Sequence, residues 1–395
     1  MIIAILGRQP DIGLAELRQV YGLDKVQSLS SGNALVNADV NINRLGGSIK
    51  TASLLSTISI GNDQKILDHT QKEILKSLNG MPEGKLKLGI SLYGIKVPTA
   101  KLNAFMLSIK KNIKKTGRSV RVIPNKSSAL SSAQTLHNQL TSPLGIEVVI
   151  VRDGSKILLG RVNGVQDIDS YAFRDRSRPK RDAFVGMLPP KLAQIMINLS
   201  GIDISKGKTI LDPFCGTGVL LQEAALLGFD VYGTDLSEKM VGYSTENMQW
   251  VQEKFRVNPE IKILAGDAMT LTWKQPIDAV VCETYLGQPF SAPPNSNKLE
   301  QVVGNCNHII ESFLQNIHGQ LKEDTPLCIA VPAWSDGNQN FTHLPLATSR
   351  GLAKLGYKMT YQSLLYYRED QIVARQLLCL RKITGQKART IDTSY

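Results

Sequence analysis

Residues 209–218 read Thr-Ile-Leu-Asp-Pro-Phe-Cys-Gly-Thr-Gly. A short apolar strand ends in Asp212, a Gly-rich loop follows, and an apolar-periodic helix opens at Val219. This is the opening of a nucleotide-type α/β domain. Dinucleotide folds use such a loop and helix N-terminus to cradle an anionic pyrophosphate. Asp212 at the mouth of the loop would repel that anion and suits a cationic ligand instead. S-adenosylmethionine, with its sulfonium and ammonium groups, fits. Two more acids close the next strands: Asp235 after 230–234, where an acid can hold ribose hydroxyls, and Asp267 after 261–264, placed to meet an adenine edge. The candidate donor site is therefore Asp212, Cys215, Gly216 and Gly218, then Asp235 and Leu236, then Asp267 and Ala268, with Glu283 from the fourth strand. Gly216-Thr217-Gly218 alone is a weak signal, since Leu221 replaces the third glycine of the dinucleotide pattern; the three acids at three strand ends carry the reading. Gly207-Lys208-Thr209 is not a phosphate loop, because Ile202 stands where that loop needs glycine.

The fourth strand, 277–282, ends in Glu283-Thr-Tyr-Leu-Gly-Gln-Pro-Phe. Its carboxyl end faces the ligand crevice in this fold. An acid there can accept a hydrogen bond or proton from an exocyclic amine, whose lone pair is otherwise delocalised into the ring. Glu283 and Tyr285 are the catalytic candidates, and Tyr285 with Phe290 is the expected stacking pocket for a flipped base. The plainer reading is a strand-end turn with both aromatics in the core. Cys282 could act as the nucleophile of a carbon methylation, but it lies inside the strand pattern and reads as a small buried hydrophobe.

The elements that must position these groups belong to a chain of 395 residues with 42% hydrophobic residues. That length implies two or three domains with real cores. No apolar run approaches the roughly 18 residues of a membrane span, and the apolar start, Met1–Leu6, reads as a strand. Five cysteines, an odd number without paired spacing, point to the reducing cytoplasm. Cys306-Asn307-His308 is the only close Cys/His pair, too few ligands for a metal site, so no metal is expected.

Charge is uneven. The chain carries +12 overall, and residues 1–170 account for +10 of it. Segment 84–146 contains eleven Lys/Arg and no Asp or Glu, which points to a polyanion partner. An amphipathic helix over 99–116 buries Leu102, Phe105, Ile109 and Ile113 and shows Lys110, Lys111, Lys114 and Lys115 on the other side. Arg118, Arg121 and Lys126 follow, and Arg174 and Arg178 stand in a basic stretch, 170–182, that reads as a linker able to touch a phosphate backbone.

The expected organisation is a small α+β module over 1–70, a basic domain over 71–168, a linker over 169–185 and an α/β domain over 186–395. In the first module, Asp11 is a plausible cap for a helix over 12–21, 26–29 and 33–36 look like a hairpin pair, and 45–59 is ambiguous between helix and strand. In the second, 70–78 and 127–140 read as helices, and 145–151 and 157–162 as strands joined at Asp153-Gly154. Near the C-terminus, 358–368 and 373–381 read as two strands with a short connection, hence antiparallel. A mostly parallel sheet closed by one antiparallel strand fits class I methyltransferases better than dehydrogenases.

These residues resemble THUMP-domain tRNA methyltransferases, in particular those that make N2-methylguanosine. The resemblance rests on the N-terminal module, the acid-free basic region, Arg178-Pro179 leading into Met187-Leu-Pro-Pro-Lys-Leu, and Asp212-Pro-Phe-Cys-Gly-Thr-Gly. It implies a ferredoxin-like module and a THUMP domain that grip the tRNA acceptor end, and a Rossmann-like catalytic domain acting on a guanosine of the acceptor-stem region, such as position 6 or 10. At the fourth strand the family pattern is Asp-Pro-Pro-Tyr-Gly, whereas this chain has Glu283-Thr284-Tyr285-Leu286-Gly287. Both prolines are gone, and the aromatic sits one place early. That departure motivates a rival reading, an RNA-binding protein with a retained donor pocket and weak or partner-activated catalysis. Three more rivals are a different target base, a nicotinamide oxidoreductase and a DNA substrate. A monomer is expected, since each module has a job on one RNA.

Overall fold

In the computed structural model, which describes residues 1–383 apart from 62, 183–187, 205–206, 275, 339 and 363, the chain divides into Met1–Ser170 and Tyr171–Tyr395. The first unit runs β1 (Ile2–Leu6), α1 (Pro10–Tyr21), β2 (Val26–Ser28), β3 (Ala34–Val36), β4 (Ser48–Ser59), α2 (Asp63–Ser77), β5 (Leu86–Tyr93), α3 (Thr99–Lys115), β6 (Val120–Val122), α4 (Ser132–His137), β7 (Gly145–Asp153) and β8 (Lys156–Val165). The hairpins expected at 26–36 and around Asp153-Gly154 both form. The ambiguous segment 45–59 is the long strand β4, which pairs β1 on one side and β8 on the other.

One eight-stranded sheet, β2-β3-β1-β4-β8-β7-β5-β6, therefore crosses the boundary expected near residue 70. That boundary falls inside α2, where Thr70 is buried and its hydroxyl donates to Ile66 O at 2.8 Å. The two N-terminal modules form a single unit because β4 and β8 share a ladder. Three other readings shift. Pro10 opens α1, with Gln9 in place of Asp11 at the cap. The helix expected over 127–140 shrinks to α4, capped by Ser131. Residues 128–130 are instead committed to β5: Leu92 N donates to Ser128 O at 2.9 Å, and Leu130 N donates to Ser91 Oγ at 3.0 Å. In α3 the buried stripe is Leu102, Met106, Ile109 and Ile113, with Phe105 half-buried beside it.

The second unit contains most of α5 (Ile168–Arg176), then α6 (Pro190–Ser200), β9 (Thr209–Asp212), α7 (Val219–Leu226), β10 (Asp230–Asp235), α8 (Glu238–Phe255), β11 (Ile261–Ala265), β12 (Ala279–Glu283), α9 (Ser296–His318), β13 (Pro326–Ser335), β14 (Phe341–His343), α10 (Ser349–Lys354), β15 (Tyr357–Met359), β16 (Leu364–Tyr366) and β17 (Val373–Lys382). The sheet order is β11-β10-β9-β12-β13-β17-β15. The first five strands are parallel, and β17 is antiparallel between β13 and β15, the closing strand that the sequence led us to expect. Helix α9 packs Val302, Cys306, Ile310, Phe313, Leu314 and Ile317 onto the apolar face of β12 and β13, a helical spacing that makes one continuous core.

Part of the expected linker is not a linker. Residues 171–176 are the end of α5, and the Phe173 ring, partly exposed, lies 5.6 Å from Trp250 and 6.3 Å from Phe255. Arg174 is buried, donating from Nε to Glu223 Oε1 on α7 at 2.6 Å. Arg178 is also buried, 3.8 Å from Asp175 Oδ1. These two arginines belong to the interior of the second unit and do not present a phosphate-binding edge, which corrects the expectation for both. The end of the expected linker, 183–185, and Met187 lie outside the described residues.

Candidate active site

Asp212, Asp235 and Glu283 are the last residues of β9, β10 and β12, and Asp267 lies two residues past β11. Because these strands are parallel, the acids gather at one end of the sheet. A cavity of about 630 Å³ opens there, lined among others by Asp212, Cys215, Gly216, Asp235, Leu236, Asp267, Ala268, Glu283 and Tyr285. Every expected donor-site residue except Gly218 borders it. Its size suits a drug-sized ligand such as an adenosyl cofactor.

The loop after β9 is built from backbone. Gly218 caps α7 in the left-handed region at φ 80°, and a Cβ there would lie 2.4 Å from Ser244 Oγ, so glycine is required. Gly218 shapes the loop from below. Cys215 N donates to Thr234 O at 2.9 Å, and Gly216 N donates to Asp235 Oδ2 at 2.9 Å, tying the loop to β10. Ser237 N donates to Asp235 Oδ1 at 2.9 Å, so both carboxylate oxygens are oriented while each keeps a lone pair for a diol. Asp267 is held similarly by Met269 N at 2.9 Å.

Sequence reasoning missed Asn247 on α8, fully buried, which donates from Nδ2 to Thr217 O at 2.8 Å and Lys180 O at 3.0 Å. It clamps the donor loop to the segment that brings Asp182 to the cavity wall, where Lys239 Nζ donates to Asp182 Oδ2 at 2.9 Å. Asn247 lies on the buried stripe of α8 with Met240, Ser244, Met248 and Val251, so helical periodicity is the signal that could have found it.

Asp212 is buried, with Phe214 N donating to Oδ1 at 3.1 Å. Burial pushes its carboxyl well above the usual carboxylate range; the Phe214 amide opposes this, and the charges of Asp235 and Glu283 add to it. A cationic ligand would relieve the desolvated charge and both repulsions, whereas a pyrophosphate would worsen them. Cys215 and Cys282 are buried, and burial holds both thiols well above their ordinary value. A nucleophilic thiolate is therefore disfavoured, and Cys282 is the core residue expected.

Glu283 makes an ion pair with Arg375 of β17, Nε donating to Oε1, a partner that no local motif announced. Burial raises the Glu283 carboxyl, and Arg375 opposes that. Thr284, in the first proline position of the family pattern, turns back into the sheet: its N and Oγ1 both donate to Ala330 O at 3.0 Å. Tyr285 is half-exposed at the cavity wall. Phe290 does not line this cavity; it packs on the core under α9, because the chain turns at Gly287 (φ 81°) before reaching it. The stacking expectation therefore keeps Tyr285 and loses Phe290. Beyond Tyr285 lies a polar cavity of about 220 Å³, lined by Gln288, Lys298, Gln301 and Asn305 as well as Tyr285 and Gly287.

In the first unit, Lys111, Lys114, Lys115, Arg121 and Lys126 are exposed and Lys110 is half-exposed. Arg118 differs: it donates to the carbonyls of Leu78 and Pro82, so it braces the loop after α2. Among the described residues there is no group of acids, histidines and cysteines able to hold a metal, and no helix long and apolar enough to cross a membrane.

The parallel sheet with its antiparallel closing strand and the acid-lined cavity have the arrangement of the class I methyltransferase fold, and residues 178–332 match the family model described as RMKL-like, methyltransferase domain. A model described as DNA methylase matches residues 102–246. Among curated proteins, the chain is 34% identical over 164 residues to the tRNA (guanine(10)-N2)-dimethyltransferase of Methanothermobacter thermautotrophicus, covering 41% of this chain and 44% of that one. It is 29% identical over 185 residues to the enzyme of the same name from Pyrococcus abyssi, covering 46% and 48%. The chain thus matches a little under half the length of these relatives. Among solved structures, TrmN from Thermus thermophilus shares the fold across 97% of this chain and 99% of its own, with a TM-score of 0.54 at 18% identity. A putative methyltransferase solved in complex with SAH shares it at a TM-score of 0.51 and 12% identity, covering 98% of each chain.

Proposed function

We propose that this protein is an S-adenosylmethionine-dependent tRNA methyltransferase acting on the exocyclic N2 amine of a guanosine. The observation that carries it is the set of acids at one sheet end, with buried Asp212 at its centre. The names of the curated relatives favour guanosine 10 over position 6. When bound, the methyl donor supplies an electrophilic methyl carbon on a sulfonium. Asp235 would hold its ribose, Asp267 its adenine edge, and Asp212 its cationic end. Tyr285 would stack the extruded base, with the polar cavity beside it receiving the rest of the nucleotide. Glu283 would accept a hydrogen bond from the amine, drawing electron density back to nitrogen, and take the proton it releases.

The basic α3 face with Lys110, Lys111, Lys114 and Lys115, together with Arg121 of β6 and Lys126 beyond it, would act as the THUMP-type grip on RNA phosphates. The five cysteines are all free and buried, which fits a cytoplasmic site of action. One monomer suffices in this reading.

The test is incubation of the protein with unmodified tRNA and isotopically labelled donor, followed by nucleoside mass spectrometry. Labelled N2-methylguanosine is the expected product. The altered 283–287 segment favours one second reading, RNA binding with a retained donor pocket. That reading gains if donor and tRNA both bind and no label transfers, in which case an activating subunit becomes the next variable.

A further inference from the structure

Glu283 and Arg375 do not sit on neighbouring strands. Glu283 of β12 is level with Ala330 of β13, and Arg375 of β17 is level with Pro332 of β13. Residues 330 and 332 share a face, so the pair bridges over β13, across two strand spacings or about 10 Å. The bridge passes beside Ala330, whose side chain is the smallest that keeps the strand regular. Both partners are largely buried, with side chains 10% and 14% exposed. Among the described residues no donor reaches the other Glu283 oxygen, Oε2, and Glu283 borders the large cavity.

We propose that Arg375 is a positioning residue for methyl transfer, clamping Glu283 Oε1 from the antiparallel closing strand so that Oε2 is presented to the target amine. The inference rests on the methyltransferase reading above. It accounts for two departures from the Asp-Pro-Pro-Tyr-Gly pattern at once, the lost prolines and the glutamate in place of aspartate. A proline pair stiffens the chain locally by fixing φ. Here the stiffening comes through the side chain, from the far side of β13. An aspartate would fall short of Arg375 by about one C–C bond, ~1.5 Å, so the clamp demands the longer acid. In the transfer step, N2 forms its bond to the methyl carbon as the carbon–sulfur bond breaks. The electron pair of that bond leaves on sulfur, and the N2 proton passes to Glu283 Oε2.

The experiment compares the full-length wild type with Arg375→Met, Arg375→Lys, Glu283→Asp and the Glu283→Asp/Arg375→Met double variant. It reads turnover on unmodified tRNA across pH, donor affinity by titration, and Tm. Arg375→Met and Glu283→Asp should each lower kcat on the order of 10²-fold, with donor affinity unchanged in Arg375→Met, since Arg375 does not line the donor cavity. The double variant should lose little more than either single one, because both remove the same interaction. The acid limb of kcat in Arg375→Met should move to higher pH, since the carboxylate is the active form and has lost its cation. Arg375→Lys should fall between, keeping the charge without the planar fork, and it carries the comparison if the methionine variant does not fold.

Wild-type kcat and an unmoved acid limb in Arg375→Met overturn the proposal, as do losses that multiply in the double variant. A parallel fall of Tm, donor affinity and turnover would make Arg375 a structural residue only. Absence of methyl transfer by the wild type, with donor and tRNA bound, is a separate outcome: it favours the RNA-binding reading given above, in which Arg375 positions nothing for transfer.

Discussion

Arg174 donates to Glu223 twice, from Nε to Oε1 at 2.6 Å and from Nη2 to Oε2 at 3.1 Å, inside the second unit. Burial raises the Glu223 carboxyl, and Arg174 is the first of the groups that oppose it. Arg174→Ala strands that carboxylate and should cost about 3–5 kcal/mol of stability, read by urea unfolding at pH 7. Arg174→Met/Glu223→Met should recover much of the loss. An Arg174→Ala protein of wild-type stability but weakened tRNA binding would restore the surface role.

Asp212 should couple donor binding to protons. Its carboxyl is raised in the folded, donor-free protein, so its contribution to stability is present below the unfolded carboxylate value and is lost as pH rises through the folded one. A cationic donor pulls the same group down, so binding releases a proton and tightens as pH rises. Calorimetry in two buffers of different ionisation enthalpy measures that proton. Asp212→Asn should abolish the release and weaken binding by roughly 10–100-fold, the worth of a hydrogen bond to a charged group. Equal, pH-independent affinities in both proteins would remove Asp212 from the site.

The basic residues of the first unit should separate by role. Replacing Lys110, Lys111, Lys114 and Lys115 by alanine should weaken tRNA binding and flatten its salt dependence by roughly one unit of slope for each phosphate left without its lysine. Donor affinity should not change. Arg118→Ala should act mainly on stability, because its guanidinium is spent on the carbonyls of Leu78 and Pro82. Salt-dependent filter binding and thermal melts on the same preparations decide between the two effects.

Gly287 should tolerate no side chain. Its φ is 81°, and an added Cβ would lie 2.9 Å from Val302 Cγ1 and 3.3 Å from Cys306 Sγ, against the buried face of α9. Gly287→Ala should cost about 1–3 kcal/mol in backbone strain and shift Tyr285. The expected result is a lower kcat with donor affinity retained. A fully active Gly287→Ala enzyme would show that the loop geometry does not set the target position.

Local pattern was enough to place Asp212, Asp235, Asp267 and Glu283, because strand length, turn glycines and helix periodicity are encoded within a few residues. The same holds for the closing antiparallel strand, where a short connection leaves one geometry. What the sequence could not decide by itself were contacts between distant residues. Glu283 and Arg375 are 92 positions apart, and Arg174 and Glu223 are 49 apart. Nothing in a basic run distinguishes the exposed Lys111 from the buried Arg174, and nothing in a loop distinguishes Tyr285 at the cavity from Phe290 packed against the core. Those assignments depend on which strand lies beside which, and on the desolvation that follows when they pack. The sequence determined that acids would meet at the end of a sheet; the tertiary structure decided which of them gained a cation and which was left for the ligand to neutralise.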